Sequence, residues 1–369
     1  TPLFFFYYGG FMKFTASVES FKEAMHKAII SAAKKDPRPI LACAKVTAND
    51  FVTIETTDLA SRIWSKVLTA TVESPGHICV SAKLLHGYIS ALEGEYFTFE
   101  LLTEKNVVRV GDENSRFHMN IVRAEDFPIE TSDVHCDPFD ISIARVIETV
   151  SKMWPFASSD ETRRNLRGMC ISPGGEVATT DGHRLAIEIN DDIPKVDSRM
   201  LIPKEQVANL IKVFKGDEIV KFSYSPSSIY ILSETVAFQA RLIVLDYPMY
   251  EKIIPSGPMF TIKANTSKVV NALKRLELVY KNLPAAKISL EFTPDTMTIS
   301  AEDPSTGEAV EKVAAEAFAG EFPYKVNGRY LEEALKSLKE ETFTLHVGDA
   351  LRPMMFKEGN YTHVLMPLR

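Results

Sequence analysis

The stretch Thr179-Thr180-Asp181-Gly182-His183-Arg184-Leu185-Ala186-Ile187 reads as a tight turn feeding a strand. Asp-Gly suits the turn, and Leu185 and Ile187 alternate with Ala186 and Glu188. Its echoes along the chain decide the fold. Thr57-Asp58, followed by Leu59, Arg62 and Ile63, lies 123 residues earlier. Ala301-Glu302-Asp303 lies 122 residues later, just after the alternating Met297 and Ile299.

Working outward, the same spacing returns. Val80-Ser81-Ala82-Lys83, Ile202-Pro203-Lys204-Glu205 and Val326-Asn327-Gly328-Arg329 each open an apolar-periodic segment that is followed by an alternating strand. Asp126-Phe127-Pro128 and Asp246-Tyr247-Pro248 are 120 residues apart, and Met366-Pro367 sits 119 beyond the second. One unit of about 120 residues is therefore written three times, a normal domain size and too long for a solenoid repeat. The expected copies are 12–133, 134–256 and 257–369. Residues 1–11 (TPLFFFYYGGF) fit none of them and read as an extraneous leader, with the natural start at Met12.

Periodicity places helices at about 20–35 and 82–92 in the first copy, 141–153 and 204–214 in the second, and 266–281 and 329–338 in the third. Strands in the first copy are expected at 40–48, 51–57, 61–72, 97–101, 106–110 and 116–121. Two helices and about eight strands per copy make an α+β fold, helices packed on antiparallel sheets.

At 45% hydrophobic and 25% charged residues, the composition is that of an ordinary globular chain. No apolar run is long enough to cross a bilayer, so no membrane partner is expected. Cys43, Cys79, Cys136 and Cys170 lack metal-ligand spacing and read as reduced thiols of a cytoplasmic protein. Asp181 with His183, or Ser151 with Lys152, could start an enzyme reading. A nucleophile elbow, P-loop or metal-binding helix is absent from the sequence, so no catalytic residue, metal or cofactor is expected.

The net charge of −7 argues against nucleic acid until its distribution is counted. The six helical segments, taken with their flanking residues, hold 17 Lys/Arg against 8 Asp/Glu, a net +9, which leaves −16 for everything else. A basic helical surface on an otherwise acidic protein can hold phosphates without reading bases.

At these residues the chain resembles the bacterial β sliding clamps, the processivity subunit of DNA polymerase III. The marks are Met12-Lys13-Phe14-Thr15, Arg116-Phe117 followed by Ala124-Glu125-Asp126-Phe127-Pro128, Thr180-Asp181-Gly182-His183-Arg184-Leu185-Ala186, and Val364-Leu365-Met366-Pro367-Leu368-Arg369. The resemblance covers everything from Met12 onward. It implies three tandem DNA-clamp domains closing as a head-to-tail dimeric ring, a homodimer that encircles double-stranded DNA and tethers the polymerase. Clamp loader, replicative polymerase and repair polymerases would bind through short linear peptides.

By motif, the resemblance places the peptide cleft at Leu166, Thr180, Gly182, His183, Arg184, Leu185, Pro248, Lys252 and Ile253. Asn327, Tyr330, Leu351 and Pro353 of the third copy join it, as do Val364, Leu365, Met366, Pro367 and Leu368 of the tail. DNA contacts are expected from Lys35, Lys83, Arg163, Arg164, Arg167 and Lys204. At the dimer seam, Phe117 and Met119 would meet Leu278 of the other copy, with Arg109 and Arg116 facing Glu308 and Glu311. Two rivals are a peptide-binding scaffold that never encircles DNA, which should lack the basic helices, and an accessory clamp paralogue.

Overall fold

Four side chains start helices in matching places. Ser17 accepts the Ser20 N–H (3.4 Å) and opens α1 (Val18–Ala28), and Ser81 accepts the Leu84 N–H (3.4 Å) and opens α2 (Ala82–Ala91). Helices α3 (Ile143–Met153) and α4 (Lys204–Val213) follow. Asn265 accepts the Lys268 N–H (3.0 Å) and opens α5 (Thr266–Tyr280); Asn327 accepts the Tyr330 N–H (3.1 Å) and opens α6 (Gly328–Lys336). Each side chain satisfies a backbone donor that the first turn leaves orphaned. In α1, Val18, Phe21, Ala24, Met25 and Ala28 are buried, the spacing of one helical face.

The computed structural model describes residues 12–129, 136–214, 219–256, 260–317 and 323–368. The expected leader, the boundary at 133–134, the start of the third copy at 257 and Arg369 lie outside the described residues. The chain forms two compact units: one takes the described residues up to Ile147 with Glu205–Leu242, the other Glu148–Lys204 with Ile243 to the end. Among the described residues the first unit carries a 13-stranded and the second a 12-stranded sheet, and the paired strands are antiparallel throughout.

In the first unit, the strand Ser61–Val67 of the first copy pairs with Val236–Arg241, the last strand of the second, from Ser61↔Ala240 to Ser65↔Val236. In the second unit, Arg184–Ile189 of the second copy pairs in the same way with Tyr361–Leu365 of the third, from Arg184↔Leu365 to Glu188↔Tyr361. The joint between successive copies is thus one device used twice. The first and third copies each have a core cluster of their own, while Cys170, Leu185 and Tyr247 of the second cluster with Met355 and Val364 of the third. Phe14 stacks on Phe99 (4.8 Å) and Phe21 meets Phe97 edge-on (5.1 Å) in the first, while α5 and α6 close over a cluster running from Ile262 to Leu365 in the third.

Three sequence expectations need correction. The first helix was expected to reach residue 35 but ends at Ala28, giving way to a short 3-10 turn at Ile29–Ser31. Asp36-Pro37-Arg38-Pro39 cannot continue a helix, and Ser31 is drawn inward to the Ser61 hydroxyl at 2.8 Å. The strand expected over 61–72 is two, Ser61–Val67 and Ala70–Ser74, because the Ser20 hydroxyl accepts the N–H groups of Leu68 and Thr69 and turns the chain between them. The strand expected from residue 40 begins as a 3-10 turn, Pro39–Ala42. Within the observed helix bounds, 12 Lys/Arg face 7 Asp/Glu, so nearly half of the expected helical charge sits just beyond the helix ends.

Candidate functional site

Asp181 builds the turn at the centre of the site. Its carboxylate accepts the N–H groups of His183 (2.9 Å) and Arg184 (3.1 Å), while the Thr180 hydroxyl accepts from Gly182 and donates to the Arg184 carbonyl. Gly182 has φ +90°, a conformation that glycine adopts without strain. The same bonds recur around Asp58. Its carboxylate accepts from Ala60 and Ser61, Thr57 bonds the Ser61 carbonyl, and Leu59 takes the positive φ of 70°. Asp303 accepts from Ser305 and Thr306 in the third copy. The repeat read from sequence is therefore written in hydrogen bonds.

Arg184 is 7% exposed, bonded to Asp181 (3.0 Å) and Glu333 (2.5 Å), with its guanidinium over the rings of Tyr330 (4.2 Å) and Phe156 (5.0 Å). It positions the wall more than it offers itself to a ligand. His183 is exposed and stacks on Tyr330 at 6.2 Å. Burial, with Asp181 nearby, raises the Tyr330 hydroxyl above its usual range. The tail is pinned alongside: the Met366 N–H donates to the His183 carbonyl (2.9 Å) and the Leu368 N–H to the Lys325 carbonyl (2.6 Å). Arg241 donates to the Ala60 carbonyl in the equivalent place of the first unit.

The loop after residue 243 is held from below by Tyr247 and Tyr250, whose hydroxyls donate to the Ala178 carbonyl (3.5 Å) and to Glu176. Pro248, Lys252 and Ile253 are left exposed, as is Leu351, while Met366, Pro367, Leu368, Pro353, Asn327 and Tyr330 are half-buried. These residues with His183 can present a surface to a peptide. Leu185, Val364 and Leu365 cannot: each is 0% exposed and belongs to the core beneath. Leu166 and Thr180 are buried at the edge of the wall. Sequence alternation could not separate these groups, because both faces of a sandwiched strand are apolar. It also missed Phe156 and Glu333, which fix Arg184, and the exposed Val244, Leu245 and Met249 beside the expected loop residues.

A cavity of about 340 Å³ in the second unit is lined by His183, Arg184 and Tyr330 together with Asp160, Asp181, Arg163 and Lys204. It joins residues expected to bind peptide with residues expected to bind DNA. Arg163 reaches the Asp181 carbonyl (3.5 Å) and pairs loosely with Asp160 (3.6 Å); Lys204 is tied to the Ala157 carbonyl and the Ser159 hydroxyl, both at 3.0 Å. Arg164, Lys35 and Lys83 are exposed, whereas Arg167 is half-buried with a partner of its own. Lys35 lies past the end of α1, where the corrected helix bound puts it.

At the expected seam, Met119 is 2% exposed and packs into the first copy's core, so it cannot meet another chain directly. Phe117 is half-buried against Tyr88 (5.2 Å), and Leu278 is 69% exposed on α5. Two of the expected charges are already engaged: Arg109 with Glu100, and Glu311 with Arg275 at 2.6 and 2.8 Å. Arg116 and Glu308 have no ion pair among the described residues. No group of His, Cys, Asp and Glu that could hold a metal occurs among the described residues, and no helix there is long and apolar enough to cross a membrane.

Three family models match the chain in series: DNA polymerase III beta subunit N-terminal domain over residues 12–131, central domain over 140–249 and C-terminal domain over 251–369. The chain is 25% identical over 382 residues to the beta sliding clamp of Bacillus subtilis, covering 97% of this chain and 100% of that one. It is 26% identical over 340 residues to that of Proteus mirabilis, covering 88% and 90%. Among solved structures, the DNA polymerase sliding clamp of Bacillus subtilis superposes with a TM-score of 0.91 at 22% identity, over 97% of this chain and 99% of the other. The sliding clamp of Bartonella birtlesii bound to griselimycin gives 0.91 at 22%, over 97% and 100%.

Proposed function

The chain belongs to the DNA polymerase III beta subunit family and works as a DNA sliding clamp, and from that premise we propose that it does so as a non-catalytic, head-to-tail homodimeric ring in the cytoplasm. The observation that carries the ring is a joint made twice inside the chain and left half-made at both ends. Ser61–Val67 meets the last strand of the second copy, and Arg184–Ile189 meets the last strand of the third. Two half-joints remain. Residues 116–120, on the first copy's last strand, pair on one side with residues 107–111 and have no strand opposite among the described residues. Residues 307–314 of the third copy pair on one side with residues 296–303 and have no strand opposite among the described residues until Ala315. An open edge is a template for pairing, and a second copy supplies the complementary one.

The ring gives the charge distribution a role. Weak phosphate contacts suffice when topology does the holding, so exposed cations such as Lys35, Lys83, Arg163 and Arg164 can touch DNA and still slide. Polymerases and the clamp loader dock on the surface formed by His183, Tyr330, Pro248, Lys252, Ile253 and the tail, an extended peptide seating apolar side chains there. Met366 suits this role because its thioether repacks around different ligands. In this reading Leu185, Val364 and Leu365 support the wall from behind.

The test is retention on DNA. Clamps loaded on nicked circular DNA stay bound through gel filtration and run off when the circle is linearised. Changing Arg163 and Arg164 together to Glu should markedly lower the loaded fraction; retention equal to the unchanged chain would refute the DNA face, and equal loss from circles and linear DNA would refute the ring.

A further inference from the structure

Helix α1 contributes no net charge from its lysines and glutamates: Lys22 and Lys27 stand against Glu19 and Glu23, and Glu23 is engaged by Lys27 at 3.4 Å. What can make this face basic is histidine. His26 on α1 and His86 on α2 lie side by side, ring centroids 6.0 Å apart and planes tilted by 33°. His26 is exposed and His86 half-buried, and among the described residues neither ring has a hydrogen bond or a carboxylate partner. Lys22 is one turn from His26, and the exposed Lys83 is one turn from His86.

The charged groups on the two helices and just past the turn that follows α1 are Glu19, Lys22, Glu23 and Lys27 on α1, Lys83 on α2, and Lys34 and Lys35; the strands packed beneath them carry Lys13, Lys45, Glu55, Arg62 and Lys66. Burial first, then His26 and Lys22, holds the His86 imidazole below the usual histidine range. The nearest carboxylate, Glu23, lies one turn before His26 and is engaged by Lys27, so the paired imidazoles and Lys22, with Lys83 one turn from His86, form a surface short of negative charge. A polyphosphate supplies it.

We infer that His26 and His86 are a proton-linked part of the DNA-facing surface, taking up protons as duplex phosphates approach, so that the clamp's grip tightens as pH falls toward 6. The inference rests on the DNA-clamp reading above. Linkage fixes the sign: phosphates favour the charged imidazoles, the complex binds more protons than the free clamp, and affinity rises with acidity.

The experiment measures binding of a short fluorescent duplex at low salt, at pH 8 and pH 6, to the full chain and to the double variant His26→Gln, His86→Gln. Calorimetry at pH 6.5 in two buffers of different ionisation enthalpy counts the protons taken up. The full chain should gain about three- to tenfold in affinity on acidification, since each unit of pKa change is worth a factor of 10. In the double variant, that ratio and the proton uptake should both fall substantially. The same ratio and uptake in both proteins would overturn the inference. A Lys83→Glu variant, read at pH 8 where histidines are neutral, tests the underlying reading separately: unchanged affinity there would mean that this helical face does not meet DNA.

Discussion

At the residue scale, the second unit holds a buried imidazole beneath the candidate site. His363 is 0% exposed; its Nδ1 lies 3.1 Å from the Tyr361 hydroxyl, its ring is 4.7 Å from Phe156, and its Nε2 has no partner among the described residues. Burial first, then Arg184 and Lys152, pushes this imidazole down to about 3. Folding therefore favours the neutral ring, while the unfolded chain takes a proton below the ordinary value near 6.5. The stability this provides is complete above pH 6.5 and is lost as pH falls from 6.5 toward 3. Between pH 6.5 and 5 the loss is on the order of 2 kcal/mol. A His363→Leu variant should show a shallower fall in thermal midpoint between pH 7 and 5, measured by circular dichroism. Parallel curves would mean that other groups set the acid sensitivity.

At the scale of elements, the tail behaves as the last edge of a strand system as well as a binding surface. Tyr361–Leu365 is locked between two strands, and the backbone of Met366 and Leu368 continues the bonding beyond it. Removing residues 366–369 should leave the sheet intact and strip three half-buried side chains from the proposed cleft. Fluorescence anisotropy with a labelled peptide of the Gln-Leu-x-Leu-Phe kind should then show at least tenfold weaker binding than to the full chain. Equal binding to both forms would place the peptide elsewhere. The strand Gly307–Ala317 carries a complementary lesson. Its sequence, GEAVEKVAAEA, is rich in Ala and Glu, good helix formers, and sequence periodicity did not find it. Pairing with Thr296–Asp303 along its length overrides that propensity.

At the scale of the whole molecule, the proposed assembly rests on the two open edges. Arg116 and Glu308 sit on them without an ion-pair partner among the described residues, while Arg109 and Glu311 are satisfied within the chain. In the proposed head-to-tail dimer, Arg116 would face Glu308 of the other copy. Reversing either charge, Arg116→Glu or Glu308→Arg, places like charges there and should raise the dimer dissociation constant by about three- to tenfold, equivalent to roughly 1 kcal/mol. Combining both reversals should restore most of the affinity. Sedimentation equilibrium reads all three, and a double variant as weak as the sum of the singles would separate the two residues.

Much of this was legible in the sequence because it is local. The Thr-Asp turn, the Ser and Asn helix starts and the 120-residue period each depend on a few consecutive side chains bonding their own backbone, so the threefold repeat and the α+β class could be read directly. Pattern also put the basic residues near the helices, though it ran α1 seven residues too far, beyond the 3-10 turn at Ile29–Ser31. The tertiary structure decided what depends on contacts between distant residues. It sent Leu185, Val364 and Leu365 to the core and left His183, Lys252 and Met366 at the surface, paired Arg109 and Glu311 inside the chain, and brought His26 beside His86. The physical reason is that an apolar or charged side chain carries no mark of its partner. Which face is buried, and which charge is already spent, follows only from the packing of strands and helices far apart in sequence.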